Sequence, residues 1–479
     1  MTTVLGNGVA PELPSDPRLA ALRAELGDAV RTDDATLDAA RADRSGQVSQ
    51  SRPLAVIEAT TVEQVQATMR FATEHRIPVV PRGAGTGLAG AAIGGEGELV
   101  LSTRGMDRIL EVSVDDELAV VEPGVLNGDL NAHLAGRGLW WAPDPASKAI
   151  STIGGNIATN AGGLLCAKYG VTREAVLGLK VVLSDGRLIS MGHRTVKGVT
   201  GYDLTALMIG SEGTLGVVVE ATLKLLPLPR GTVATISAAF ASVELAARAA
   251  SAIVSSGIKP AIMELLDATA LDIIGAHLGI DLAIDRGGHG AQLLIQTDGM
   301  GADAEADEAL AVIRSLGGEA ELTTDPAEGE KLFAIRRSFH PALVARGTVL
   351  IEDVAVPRSA LPSMFAAIER IEAKYGISIP TVAHAGDGNL HPNFVFGGPG
   401  DQAGLVDGHV EVPEYVWAAA DELFLDCLRL GGTLTGEHGV GILKKRWLRD
   451  ELGDDSFALQ KQLKQVFDPL GILNPGKVF

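Results

Sequence analysis

Two cysteines, Cys166 and Cys427, are all that the 479 residues contain. They are too few for an iron–sulfur cluster and too distant for a disulfide framework, so a reducing, cytoplasmic setting is expected. Aromatic residues make up 4% of the chain against 46% hydrophobic residues in all, so the core must be built from Ala, Val, Leu and Ile, which suits a mixed α/β architecture. Positive charge is short: 40 Lys and Arg against 60 Asp and Glu give a formal net charge of −20. Without a basic footprint neither nucleic acid nor an anionic membrane surface is an expected partner. No apolar stretch reaches the roughly 18 residues of a membrane span, and Met1-Thr-Thr-Val is followed by neither a basic region nor an apolar signal core. No internal repeat is visible, which sets solenoids and propellers aside.

Glycine is in excess, 58 residues against an ordinary share of ~7%. The glycines gather in 83–97, 154–163, 198–216, 386–400 and 431–441, where backbone must turn sharply or come close to a ligand. Residues 1–15 read as a loose lead-in. Leu54-Ala-Val-Ile-Glu58 reads as a strand, and Thr60-Thr-Val-Glu-Gln64 offers a capping box to a helix with Val62, Val65, Met69 and Ala72 on one side. Ile77-Pro-Val-Val80 closes a βαβ unit. Leu118–Glu122 reads as a strand, Asn127–Leu134 as a short capped helix, and Val176–Leu183 with Leu188–Ser190 as a hairpin. Two prolines in Leu223–Arg230 suit a linker. Beyond it strands at 232–240, 261–266 and 291–297 alternate with helices at 242–256, 268–278 and 302–316, several ending at Gly257, Gly279 and Gly317. That alternation predicts a second domain, a sheet covered on one face by helices. Residues 397–411 read as a long exposed loop and the last fifty residues as helical.

Three segments carry candidate cofactor chemistry. Pro81-Arg-Gly-Ala-Gly-Thr-Gly87 follows a strand, so bare N–H groups and flexible glycines are available for a pyrophosphate, although its spacing is neither the dinucleotide nor the P-loop pattern. Ser151-Thr-Ile-Gly-Gly-Asn-Ile-Ala-Thr-Asn-Ala-Gly-Gly163 has little apolar bulk and would let a flat ring system approach. Gly210-Ser-Glu-Gly-Thr-Leu-Gly216 leads into a strand from Val217. Around Asp387-Gly388, the turn pair of a type I′ hairpin, residues 380–385 and 390–396 read as strands. In that register opposite residues sum to 775, His384 faces His391, and Cβ atoms ~5 Å apart let two imidazoles converge on one ion. Glu437 and His438 are neighbours, so in extended backbone one serves one side and one the other. In Lys331–Arg346 the residues Leu332, Ile335, Phe339 and Leu343 form a helical stripe with Arg336 and His340 along its edge.

Pro81-Arg-Gly-Ala-Gly-Thr-Gly, Thr152-Ile-Gly-Gly-Asn, Asn160-Ala-Gly-Gly and Gly210-Ser-Glu-Gly-Thr-Leu-Gly resemble the FAD-binding half of the vanillyl-alcohol oxidase superfamily. His384-Ala-Gly-Asp-Gly-Asn-Leu-His391, Glu437-His-Gly-Val-Gly441 and Leu473-Asn-Pro-Gly-Lys-Val-Phe479 resemble its D-lactate dehydrogenase and glycolate oxidase flavoprotein-subunit group. The resemblance covers about residues 50–479. It implies an FAD-binding domain at 1–229, an α/β cap over the flavin at 230–430, and a C-terminal segment, 431–479, returning to the flavin. It implies FAD contacts at Arg82, Gly83, Ala84, Gly85, Thr86, Gly87, Pro143, Ser147, Thr152, Gly154, Gly155, Asn156, Thr159, Asn160, Gly162, Glu212, Gly213, Gly216, Val217 and Asn474. Covalent attachment in the superfamily uses a histidine or cysteine, and the first loop has neither, so non-covalent FAD is expected.

The same resemblance implies one divalent ion, zinc or manganese, on His384, His391 and Glu437, with His438 as the base. It places a carboxylate-binding arginine at Arg336, with Arg337 the alternative, and His340 beside the substrate. The implied reaction is hydride transfer to flavin from C2 of a D-2-hydroxy acid or glycolate. D-2-hydroxyglutarate is the alternative substrate, less supported because Ile351 stands where that branch carries a lysine. A flavin-dependent ether-forming transferase and a non-catalytic flavoprotein subunit are the rival classes. Electrons must leave to a separate protein, a quinone or oxygen, and a homodimer is left open.

Overall fold

A computed structural model describes residues 16–282, 290–398, 405–406 and 409–479. The lead-in expected over 1–15 lies outside them, as does part of 397–411, where the described residues include a strand pair, Leu405–Val406 with His409–Val410. The first half holds two sheets. Ala55–Glu58 and Val79–Arg82 both run parallel to Leu99–Ser102, which lies between them, and the helix Val62–His75 makes the crossover. That helix starts as expected: the Thr61 side chain accepts from the Gln64 N–H, and the Gln64 side chain accepts from the Thr60 N–H. The second sheet is antiparallel and orders Ile109–Ser113, Leu118–Val121, Val217–Lys224, Val176–Val182 and Leu188–Gly192. The helix Asn127–Ala135 forms, but Leu126 precedes it and no side chain caps it.

The second half is built on one antiparallel sheet in the order Glu319–Thr323, Thr232–Phe240, Ala291–Gly299, Ile262–Asp267, Thr381–His384, Asn389–Phe396 and Thr348–Ile351. Helices Val243–Ser255, Ala302–Ser315, Leu361–Tyr375 and Glu414–Arg429 cover one face, where Met263, Leu265 and Ala383 are buried. The opposite face is covered as well, contrary to expectation. Its residues Ile262, Leu266, Leu294 and Val382 are apolar too, and they are buried by Phe333, by Ala268–Leu278 and Phe339–Arg346, and by Leu164, Leu165 and Tyr169 of the first half. This second face therefore looks onto the glycine-rich segments.

Two further expectations change. The stripe over 331–346 is split between the helices Pro326–Arg337 and Phe339–Arg346, which meet at Ser338. The last fifty residues are not helical throughout, since 431–447 is irregular and only Leu448–Phe467 forms a helix, kinked at Gly453. The chain end then returns to the first half: Leu473 bridges Val79, and the Asn474 side chain donates to the carbonyls of Ala91 and Glu212. Among the described residues no helix is long and apolar enough to cross a membrane.

Candidate active site

Strand alternation decides what faces the glycine segments. Glu264 stands between Ile262 and Leu266 on the second sheet face, and its direct cross-strand partner is His384. His384 pairs with Asn389 and His391 with Val382, so opposite residues sum to 773 and the expected register of 775 is wrong. The cause is the turn: Ala385–Gly388 is a four-residue loop in which the N–H groups of Asp387 and Gly388 both donate to the His384 carbonyl. Gly388 sits at φ +87°, and a Cβ there would lie 2.2 Å from the Val356 carbonyl oxygen, so close approach of backbone requires glycine. A shift of two preserves parity, so the two histidines still share a face as diagonal neighbours, with ring centroids 5.0 Å apart.

Glu437 and His438 come from the irregular stretch after Glu414–Arg429. Asp353, fully buried, shapes that stretch: its Oδ2 accepts from the Thr435 hydroxyl and from the N–H groups of Glu437 and His438 at 2.6, 3.1 and 3.0 Å. Its Oδ1 accepts from the Asn389 amide at 2.6 Å, which ties the loop to the histidine hairpin. Each interior donor stranded by loss of Asp353 would cost about 1–3 kcal/mol. Because the loop is bent around this carboxylate, Glu437 and His438 do not point to opposite sides as extended backbone would have them. Nε2 of His438, His384 and His391 lie 3.7, 3.7 and 3.3 Å from the same oxygen, Oε1 of Glu437. The His438 ring also stacks on His391, centroids 5.1 Å apart.

The donor set suits a divalent cation. Two atoms each ~2.0–2.1 Å from zinc at tetrahedral angles are roughly 3.3–3.4 Å apart, close to the separations of Glu437 Oε1 from the two imidazoles. His384 Nδ1 is bonded to Glu264 Oε1 at 2.5 Å, which leaves Nε2 as the free ligand atom. Charge points the same way. Burial opposes ionisation of Glu437, yet His384 and His391 hold its carboxyl well below the usual range. Burial likewise opposes a charged His384, yet Glu264 and Glu437 raise its imidazole well above the ordinary value. The carboxylates thus favour a positive charge at that point, which an ion would supply in place of the proton.

Arg336 reaches the site from the helix end, with Nε and Nη2 at 2.9 and 2.8 Å from Glu264 Oε2. His340, on the next helix, is exposed. A cavity of about 290 Å³ beside the cluster is lined by Gly162, Gly163, Cys166, His384, Asp387 and Glu437 among others, so the second glycine segment shares its wall with His384 and Glu437. Parts of the three glycine segments lie against one another. A Cβ on Gly83 would lie 2.5 Å from Thr152 Oγ1, and one on Gly213, at φ +73°, would meet Pro81 at 3.0 Å. Both Glu212 oxygens accept N–H groups, from Val440 and Gly441, and burial pushes that carboxyl up to about 7. The third glycine segment is thereby fastened to the loop that presents Glu437.

Some side chains in the set are otherwise engaged. The Arg82 guanidinium donates to the carbonyls of Ala92 and Ala39, Asn156 bonds Asn127 and Ser151, and Val217 lies in the hydrophobic core. Asn474 Oδ1 is buried and has no hydrogen-bond partner among the described residues. Glu264 was missed by the sequence reading, although it is the one charge inside the run Ile262-Met-Glu-Leu-Leu266 and that interruption was visible.

Two family profiles cover most of the chain: the FAD binding domain matches residues 53–192 and the FAD linked oxidases, C-terminal domain, matches 231–478. The chain belongs to the FAD-linked oxidases. The chain is 42% identical over 435 residues to the glycolate oxidase subunit GlcD of Bacillus subtilis (strain 168), covering 90% of each chain. It is 32% identical over 481 residues to a D-lactate dehydrogenase of Anaerostipes hadrus, covering 98% of each. Among solved structures, p-cresol methylhydroxylase with substrate bound superposes with a TM-score of 0.78 at 20% identity, over 96% of each chain. That likeness supports the fold, the vanillyl-alcohol oxidase type, and the family makes the protein an FAD-dependent oxidoreductase.

Proposed function

We propose that this FAD-linked oxidase converts a D-2-hydroxy acid, D-lactate or a similar acid or glycolate, to the 2-keto acid or glyoxylate. The carrying observation is the convergence of three imidazole nitrogens on Glu437 Oε1 beside a glycine-walled cavity. The names of the glycolate oxidase and D-lactate dehydrogenase relatives support the substrate class. In this reading residues 1–229 bind FAD, 230–430 cap it, and 431–479 return to it.

FAD supplies the acceptor for a hydride from C2. A zinc or manganese ion on His384, His391 and Glu437 would lower the pKa of the substrate hydroxyl. His438 Nε2 takes the hydroxyl proton. Burial, only partly offset by Asp353, lowers its imidazole to about 4, in place of the unshifted value near 6.5 expected from the sequence, so it stands neutral and able to accept. Arg336, held by Glu264 along its Nε–Nη2 edge, keeps Nη1 for the substrate carboxylate. That local cation offsets the −20 charge that repels an anion at long range. Ile351 offers no cation to a second carboxylate, which favours acids with short uncharged tails over D-2-hydroxyglutarate.

Arg336→Lys therefore raises KM for D-lactate or glycolate in a dye-reduction assay by more than it lowers kcat, because a point charge loses the planar fork. An unchanged KM excludes Arg336 from the substrate. Acid precipitation releases intact FAD into the supernatant. The cysteine on the cavity wall, Cys166, is no candidate for attachment, because burial, aided by Asp387 and Glu437, pushes its thiol far up and keeps it protonated. Flavin absorbance left in the pellet would contradict this.

A further inference from the structure

One carboxylate touches both the metal-ligand candidate and the substrate-clamp candidate. Glu264 is fully buried; its Oε1 is 2.5 Å from His384 Nδ1, and its Oε2 takes both Arg336 donors, Nε at 2.9 and Nη2 at 2.8 Å. The three nitrogen atoms that bond its two oxygens thus come from two partners with different tasks. The pairing is fixed by backbone, since Glu264 and His384 are direct partners on adjacent antiparallel strands, and Arg336 descends on them from a helix anchored by Phe333 against Ile262 and Leu294. An acceptor-only group at Nδ1 forces the His384 proton onto that nitrogen and leaves the Nε2 lone pair facing Glu437, 3.7 Å away. The same group holds the guanidinium plane by Nε and Nη2, and Nη1 has no hydrogen-bond partner among the described residues.

We propose that Glu264 is a positioning residue that sets the His384 tautomer for metal binding and the Arg336 orientation for the substrate carboxylate, coupling the two subsites through one side chain. This rests on the metal reading above, but it assigns a role to a residue outside both sites. It has a consequence that a purely substrate-binding Arg336 lacks: removing the arginine loosens Glu264, and so weakens metal binding in the absence of any substrate.

The test is a titration of metal-stripped, FAD-loaded protein with Zn²⁺ and separately with Mn²⁺, following the ion bound per chain without substrate. In Glu264→Gln, of equal size, the amide can present a donor to Nδ1 and stabilise the other tautomer; metal Kd rises about 10–100-fold, the range for lost outer partners of metal-bound histidines. In Arg336→Met, a change at a helix end that keeps Glu264 in place, metal Kd also rises, by less, and the double variant shows less than the sum of the two effects. KM for the hydroxy acid rises in both, while flavin content stays at one per chain. Wild-type metal affinity in FAD-loaded Glu264→Gln overturns the positioning role. Should that variant fail to fold, an unchanged metal Kd in Arg336→Met overturns the coupling by itself. Wild-type protein that binds neither ion overturns the metal reading, and the inference with it.

Discussion

Replacing His438 with alanine lowers kcat by about 10²–10⁴, the range for a lost general base, with FAD and metal content unchanged. Its neighbours are otherwise engaged in the proposed site, His391 by the ion. The carboxylate of Glu437 is held ionised by His384 and His391 against the cost of burial, and Asp353 is occupied by the Asn389 amide and by the hydroxyl and N–H groups of 435–438. His384 has Nδ1 on Glu264, and its other nitrogen faces Glu437. With His391 given to the ion in this reading, His438 is left as a ring that burial keeps neutral, its nitrogen at the edge of the ligand cluster. Its pH behaviour follows from the burial that depresses it to about 4. The folded pKa lies below the unfolded value near 6.5, so the neutral ring's contribution to stability is complete above about 6.5 and lost as pH falls through about 4. A bound cation displaces the imidazole further in the same direction. The acid limb of kcat/KM assigned to His438 accordingly falls below pH 5 and vanishes in His438→Ala. Near-normal kcat in a fully loaded variant would exclude this histidine as the base.

The elements of the fold were legible where pattern is local. Thr61 and Gln64 announced the crossover helix, and Gly257, Gly279 and Gly317 all adopt positive φ after their helices. The facing of His384 and His391 survived an error of register because alternation depends only on parity, whereas the turn depends on how closely Gly388 approaches Val356, a contact no local pattern carries. The pairing of Glu264 with His384 joins residues 120 apart and is set by strand order, which sequence periodicity does not contain. For the same reason the Asp353 anchor was invisible: it draws its bonds from the hairpin and from 435–438, and by bending that stretch it reverses the expectation that Glu437 and His438 look apart.

If the proposed ion sits on His384, His391 and Glu437, removing it should produce the other large effect. Two histidines bring Nε2 to 3.7 and 3.3 Å from Glu437 Oε1, the three ligand atoms all lying within 4.8 Å of one another, while Glu264, Asp353 and Glu437 crowd the site with negative charge. Without an ion, His384 holds a proton there, raised well above its usual pKa by Glu264 and Glu437 although burial opposes the charge. An imidazolium cannot ligate the hydroxyl, and it pairs with the very carboxylate that the ion needs. Chelated protein should therefore keep its FAD, bound by the separate glycine segments, and lose turnover to background. His391→Ala should behave in the same way without chelation. The decisive measurement is anaerobic mixing of D-lactate, its L-enantiomer and glycolate with chelated and with Zn²⁺- or Mn²⁺-reconstituted protein, reading the oxidised flavin absorbance. Rapid bleaching by D-lactate or glycolate is expected in the reconstituted protein, none by L-lactate, and no bleaching by any of them after chelation. Equal bleaching with and without metal, or no bleaching by any hydroxy acid in metal-loaded, FAD-replete protein, would contradict that expectation.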